Sequence, residues 1–138
     1  MTEIDVHFNA PDKVHHACRL LRKAVVAAGA RDAVTGDAAT LDSLDASLWQ
    51  FSATDFVAHC RSDADAEVLA RSPVVLLDLA APDVSTHRQV LVNLGGALPT
   101  GFERFERLID VVGCDDAERQ AGRQRWRHYA ERGYAITR

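Results

Sequence analysis

Near the carboxyl end of the chain runs Arg119-x-x-x-Arg123-x-x-Trp126-Arg127. At roughly 100° per residue on a helix, Arg119, Arg123 and Trp126 share one side and Arg127 lies on its flank. Arginine presents a planar fork of N–H donors to a carboxylate, and an adjacent indole presents an apolar face. The pattern suits a ligand with both a carboxylate and an apolar ring, and a peptide tail with acidic and aromatic residues is such a ligand. Between Arg119 and Tyr129 stand four arginines and no acid, in a chain of formal net charge -4. The competing reading is an ordinary solvated helix face with the tryptophan turned into the core. Asp115, Asp116 and Glu118 just upstream suit that reading, because acids in a first helical turn and cations further along complement the helix dipole.

Other chemistries find little support. Neither GxGxxG nor GxxxxGK[ST] occurs, and the first strand is followed by Asn9-Ala10-Pro11-Asp12-Lys13, so the backbone has no evident way to wrap phosphates there. Gly95-Gly96 alone is better explained by a turn. His15 and His16 are neighbours and diverge by about 100° on a helix, a poor geometry for sharing one metal. His7, His59, His87 and His128 lack a regular ligand spacing. No serine or cysteine sits in a nucleophile motif such as GxSxG. The expectation is a protein without catalytic residues, metal or cofactor. A Rossmann-like nucleotide-binding module or small enzyme is the alternative from another class.

A second segment with content is Leu44-Asp45-Ala46-Ser47-Leu48-Trp49-Gln50-Phe51, followed by Phe56-Val57-Ala58-His59. Trp49, Phe51 and Phe56 are hard to bury together in so short a stretch. They either close the end of a helix over the core or form an exposed apolar patch that marks a protein interface.

The elements that must position these residues follow from periodicity. Ile4 to Phe8 alternates and predicts a strand with one buried face. Val14, Cys18, Leu21, Val25 and Ala28 recur at helical spacing, and Gly29 stops that helix. Ala33-Val34-Thr35 predicts a second strand, and Ala38 to Trp49 a helix with Leu41, Leu44 and Leu48 inward. Asp63-Ala64-Asp65-Ala66 reads as a loop or turn. Pro73 to Asp78 is a continuous apolar run that suits a strand covered on both faces. Gln89 to Leu94 is another strand. Phe102, Phe105 and Leu108 or Ile109 have helical spacing, with Asp110-Val111-Val112 returning to the sheet. The arginine helix runs from about Asp115 to Arg132, and Gly133 to Ile136 forms an edge strand. The order predicts a three-layer α/β/α, Rossmann-like fold with a mostly parallel sheet.

The length of 138 residues and 47% hydrophobic content fit one globular domain spanning 1–138. An acidic chain is poorly suited to broad phosphate-backbone binding, so direct nucleic-acid contact is expected to be weak. Cys18, Cys60 and Cys114 are an odd, scattered set that reads as reduced thiols in a cytoplasmic protein. Met1-Thr2-Glu3-Ile4-Asp5 is unlike a signal peptide, and apolar runs such as Val74 to Leu77 are far too short to span a membrane.

Taken together, the chain resembles the chi subunit of bacterial DNA polymerase III, a clamp-loader accessory subunit, over nearly its whole length. The resemblance rests on an ordered series: Leu44-Asp45-x-x-Leu48-Trp49, Phe56-x-x-His59, Val90-Leu91-Val92-Asn93-Leu94, Phe102-x-x-Phe105, Asp110-Val111-Val112, and Arg119-x-x-x-Arg123-x-x-Trp126-x-x-Tyr129 before Gly133. It implies a nucleotide-binding-like fold without a nucleotide site, and two partners on separate surfaces. One is the acidic C-terminal tail of single-stranded DNA-binding protein, which ends in phenylalanine. The other is the psi subunit, which tethers chi to the clamp loader. Carried over by position, the tail site comprises Arg119, Arg123, Trp126 and Arg127, with Val112 as its apolar wall. The psi surface includes Trp49 and Phe56, a surface that an accessory helicase shares in some bacteria. Ala58 replaces a proline common in relatives, Trp126 a tyrosine and Arg119 a lysine. Gly122 inside the arginine helix is unfavourable by about 1 kcal/mol relative to alanine, and would let a partner backbone approach if it has a role at all.

Overall fold

Alternating apolar residues and helical stripes assemble into a seven-stranded sheet in the computed structural model, which describes residues 2–27, 29–50, 58–61, 63–78, 87–99 and 101–138. The elements are β1 (Glu3–Ala10), α1 (Lys13–Arg22), β2 (Asp32–Gly36), α2 (Ala38–Gln50), β3 (His59–Arg61), α3 (Ala66–Arg71), β4 (Val74–Asp78), β5 (Val90–Asn93), β6 (Arg107–Gly113), α4 (Asp116–Glu131) and β7 (Ile136–Thr137). The strand order is β3-β4-β2-β5-β6-β1-β7. Every pairing among the described residues is parallel. The sheet that was expected to be mostly parallel is therefore wholly so in these residues. The two edges, β3 and β7, are only three and two residues long, which limits the unpaired backbone offered to another sheet.

Two cores lie on opposite faces of the sheet. The first joins α1 and α2 to it through Cys18, Leu21, Leu41, Leu44 and Leu48, packed on Val34, Val74, Leu76, Val92 and Val111. The second lies under α3 and α4 and contains Leu69 and Tyr129 with Ile4, Val6, Val75, Leu77, Leu91 and Val112. β4 contributes Val74 and Leu76 to one core and Val75 and Leu77 to the other. Its continuous apolar run thus serves both sides of a covered parallel strand.

Several expectations are revised. Phe102 and Phe105 do not open a helix: Phe102–Arg104 is one 3₁₀ turn, Phe105 is extended, and Leu108 and Ile109 already belong to β6. A 3₁₀ turn also brings residues i and i+3 to one side, so the spacing alone could not separate the two. The turn at Asp63-Ala64 is present, but Ala66 opens α3, too short at six residues to leave a periodic signature. α1 gives way to a π turn over Lys23–Ala27 before Gly29, which sits at φ 64°. Ala28, Phe51 and Phe56 lie outside the described residues.

Gly122 has a definite role. A Cβ there would fall 2.8 Å from both methyl carbons of Val112. The glycine lets α4 approach β6 of its own sheet, not the backbone of a partner.

Candidate functional site

α4 begins at an Asp115 cap whose carboxylate accepts the Glu118 N–H at 2.8 Å, satisfying one of the free donors of the first turn. Its buried side is Gly122, Arg125 and Tyr129, a spacing of three and four residues that fixes the roll of the helix. Arg119, Arg123 and Arg127, four residues apart, consequently form one exposed row.

Arg125 is not part of that row. It is 3% exposed; its Nε donates to Asp110 at 2.8 Å and its Nη1 to the Gly96 carbonyl at 2.7 Å. The Tyr129 hydroxyl donates to the same Asp110 oxygen at 2.8 Å, and the Asn93 amide reaches the other at 3.3 Å. Burial works to lower the Arg125 pKa, but the hydrogen bond and charge of Asp110 hold it above the ordinary arginine range. Burial, with Asp110 beside it, pushes the Tyr129 phenol up. In the sequence, Arg125 counts among four arginines without an intervening acid and has no place of its own. The usable signal was the spacing Gly122, Arg125, Tyr129, which puts this arginine on the inward stripe, with Asp110 on the preceding strand.

The remaining three arginines meet Trp126, Phe8, Asn9 and Arg138 around an open cavity of about 580 Å³. Phe8 and Trp126 touch with ring centroids 5.8 Å apart, and the Arg138 guanidinium lies 5.1 Å from the centre of the Phe8 ring. Among the described residues, none of Arg119, Arg123, Arg127 and Arg138 has an ion-pair partner, whereas Arg61, Arg71, Arg107 and Arg125 all do. Like charges four residues apart on a helix oppose one another by about 0.2–0.5 kcal/mol per pair. A bound carboxylate would relieve that repulsion. Val112, expected to be the apolar wall, is fully buried beneath Gly122 and does not reach the cavity. Phe8 lines it instead, brought from the far end of the sequence by the parallel pairing of β1 with β6.

The place where an α/β sheet ordinarily receives a nucleotide is the crevice beyond the carboxyl ends of adjacent strands whose following helices go to opposite faces. Here that is the gap between β1, followed by α1, and β6, followed by α4. Its mouth is lined by the chain's own charged side chains, Asp12, Lys13, Asp115 and Glu118, around an open cavity of about 480 Å³. Lys13 forms an ion pair with Glu118 and donates to the Leu94 carbonyl at 2.6 Å. Asp12 and Asp115 cap the two helix N-termini with their own carboxylates. A phosphate would have to displace both acids from the N–H groups it needs.

Trp49 stands at the end of α2 on the opposite side of the sheet and is 64% exposed. Its ring meets His59 at 5.6 Å, and His59 is hydrogen-bonded to Asp45 at 2.6 Å. The sequence therefore places two aromatic features on two separate layers. Cys18 is a buried packing residue whose thiol burial pushes up to about 11, and Cys60 is half-buried.

Fold and cavity together describe a three-layer parallel α/β protein whose crevice between β1 and β6 carries its own capping acids and the Lys13 and Glu118 pair, and whose cavity beside α4 is basic and aromatic. The chain belongs to the DNA polymerase III chi subunit family: the family described as DNA polymerase III chi subunit, HolC, matches residues 1–137. It is similar to the DNA polymerase III subunit chi of Pseudomonas aeruginosa, with 32% identity over 140 residues, covering 99% of this chain and 94% of that protein. No helix among the described residues is long and apolar enough to cross a membrane.

Proposed function

We propose that this protein is a non-catalytic, cytoplasmic adaptor that binds the acidic C-terminal tail of single-stranded DNA-binding protein and links it, through the psi subunit, to the clamp loader. The observation that supports this reading is the row of Arg119, Arg123 and Arg127, without ion-pair partners among the described residues, beside the half-buried Trp126 in an acidic chain. Arg123 pairs with the terminal carboxylate or an adjacent acid of the tail by charge-assisted hydrogen bonds, and the indole holds the terminal ring. Each contact is weak and exposed. Several tails displayed on one tetramer supply effective concentration, so the protein works by tethering.

Psi docks, on this reading, against Trp49 and against Phe56, which lies outside the described residues. An accessory helicase that uses the same surface would compete with psi and leave the tail site free. The nucleotide-binding rival is opposed by the Lys13 and Glu118 pair in the crevice where phosphate would sit.

The test is fluorescence anisotropy of a labelled peptide copying the C-terminal tail of the host's single-stranded DNA-binding protein, titrated with wild type and Arg123→Ala. Binding by wild type that is lost in the variant is the expected result. No binding by folded wild type overturns the tail-binding reading, and a measurable affinity for ATP or NAD would favour the rival.

A further inference from the structure

In a regular strand, Phe8 and Ala10 would face the same side of the sheet, because side chains alternate with a period of two. They do not. Ile4, Val6 and Phe8 belong to the core under α4, whereas Ala10 belongs to the core under α1 and α2. The change of side occurs at Asn9, which sits at φ 60°, and the pairing of β1 with β6 skips from His7 to Ala10. Asn9 is the one described residue other than glycine at positive φ, a conformation that asparagine tolerates better than most residues. Such a bulge re-aims side chains, and bulges recur beside functional sites for that reason. Here it leaves Phe8 and Asn9 together on the cavity wall, opposite the arginine row of α4. Arg138, arriving after β7, covers the Phe8 ring and brings a fourth guanidinium to the same space, without an ion-pair partner among the described residues.

We infer that Phe8, Asn9 and Arg138 form a second jaw of the cavity, so that the ligand is gripped from two sides. This inference rests on the proposed reading of the cavity as a peptide-tail site. Trp126 and Phe8, already in contact, make a continuous apolar floor on which the terminal ring lies. Arg138 turns from the Phe8 face toward the terminal carboxylate, opposite Arg123. The Asn9 carboxamide, which makes no hydrogen bond to the described residues, donates to the peptide backbone or to an acid before the ring. The site thus selects a chain terminus: an internal acidic and aromatic segment would present its ring without a carboxylate for Arg138.

The test uses the same labelled tail peptide with Arg123→Ala, Arg138→Ala, Phe8→Ala and Asn9→Gly, each checked for folding by circular dichroism. Arg138→Ala removes an exposed side chain, so its effect is independent of the fold. It is expected to weaken binding about 5- to 10-fold, as loss of one charge-assisted contact does, and to make the salt dependence shallower. Amidating the peptide's terminal carboxylate should weaken wild type strongly and reduce the difference between wild type and Arg138→Ala. Phe8→Ala should lose about 5- to 10-fold toward the peptide ending in phenylalanine and much less toward one ending in alanine. Asn9→Gly keeps the backbone conformation and should lose a smaller factor. If Arg123→Ala abolishes binding while Arg138→Ala and Phe8→Ala bind like wild type, the second jaw is overturned and the tail site stands. If folded wild type does not bind the peptide at all, both fall.

Discussion

Val112 and Gly122 are in contact so close that the glycine's missing side chain has no space: a Cβ would lie 2.8 Å from both Val112 methyl carbons. Two effects of Gly122→Ala therefore oppose each other. Helix propensity favours alanine by about 1 kcal/mol, and overpacking of a close contact costs about 1–3 kcal/mol or more. Because the obstacle is a β-branched side chain held in a strand, it has little freedom to yield, and the variant is expected to be net destabilised by about 1–2 kcal/mol. Urea unfolding of the two proteins decides the sign; a more stable variant would show that α4 can lift from β6 at no cost.

Asp110 is the single buried carboxylate facing Arg125, Tyr129 and Asn93. Asp110→Asn keeps the shape and removes the charge, leaving a guanidinium buried without a counterion. The expected loss is about 3–5 kcal/mol, read as a lower unfolding midpoint. Arg125→Met, which removes the other charge while retaining much of the volume, leaves an acid still served by two hydrogen bonds and should cost less.

Asp32 is fully buried and neither carboxylate oxygen has a hydrogen-bond partner among the described residues. Burial alone raises its pKa from 3.8 to about 7. The folded state therefore holds a proton that the unfolded chain releases once pH exceeds the ordinary carboxylate value. Stability is fully present below that value, declines as pH rises toward 7, and levels off above it, by roughly 4 kcal/mol at the limit of 1.36 kcal/mol per pH unit. Asp32→Asn should flatten that decline. A wild-type stability that rises from pH 4 to pH 7 with the same slope in the variant would exclude the mechanism.

The proposed tail contact would be made by exposed arginines, so salt should weaken it. Raising ionic strength from about 0.05 M to 0.5 M contracts the Debye length severalfold, and tail affinity is expected to fall accordingly in wild type and more gently in Arg127→Ala. An affinity that does not change with salt would mean that the ring, not the charge, carries the interaction.

Trp49→Ala should leave stability within about 0.5 kcal/mol, since the side chain is mostly exposed. The same variant is expected to lose psi or helicase binding while keeping wild-type tail affinity. Loss of tail binding instead would show that the two surfaces are coupled.

How far the sequence could be read depended on the kind of signal each residue leaves. Alternation in Ile4 to Phe8 and the triplet Leu41, Leu44, Leu48 gave β1 and α2 correctly, because one buried face imposes a period. β3 and α3 span three and six residues, less than the window in which a period can be seen. The arginine row was legible because Arg119, Arg123 and Arg127 are exposed neighbours on one helix. Phe8, Asn9 and Arg138 were not, since they come from β1 and from beyond β7 and meet α4 only through the order of strands in the sheet. Val112 was carried over as a wall from the family resemblance, and the sequence holds no indication that Gly122 draws the helix down over it. Arg125 is hidden among its neighbours in the sequence because its partner Asp110 lies fifteen residues earlier, on β6.

α2 and α4 lie on opposite faces of the sheet. A partner held at Trp49 and a ligand held at Arg123 would therefore be back to back, each out of reach of the other, so filling one place leaves the other vacant. A pull exerted between the two would cross the full thickness of the molecule, through two close-packed cores that deform very little. With both places filled, such a body would act as a stiff spacer, passing position and tension from one occupant to the other without having to change shape.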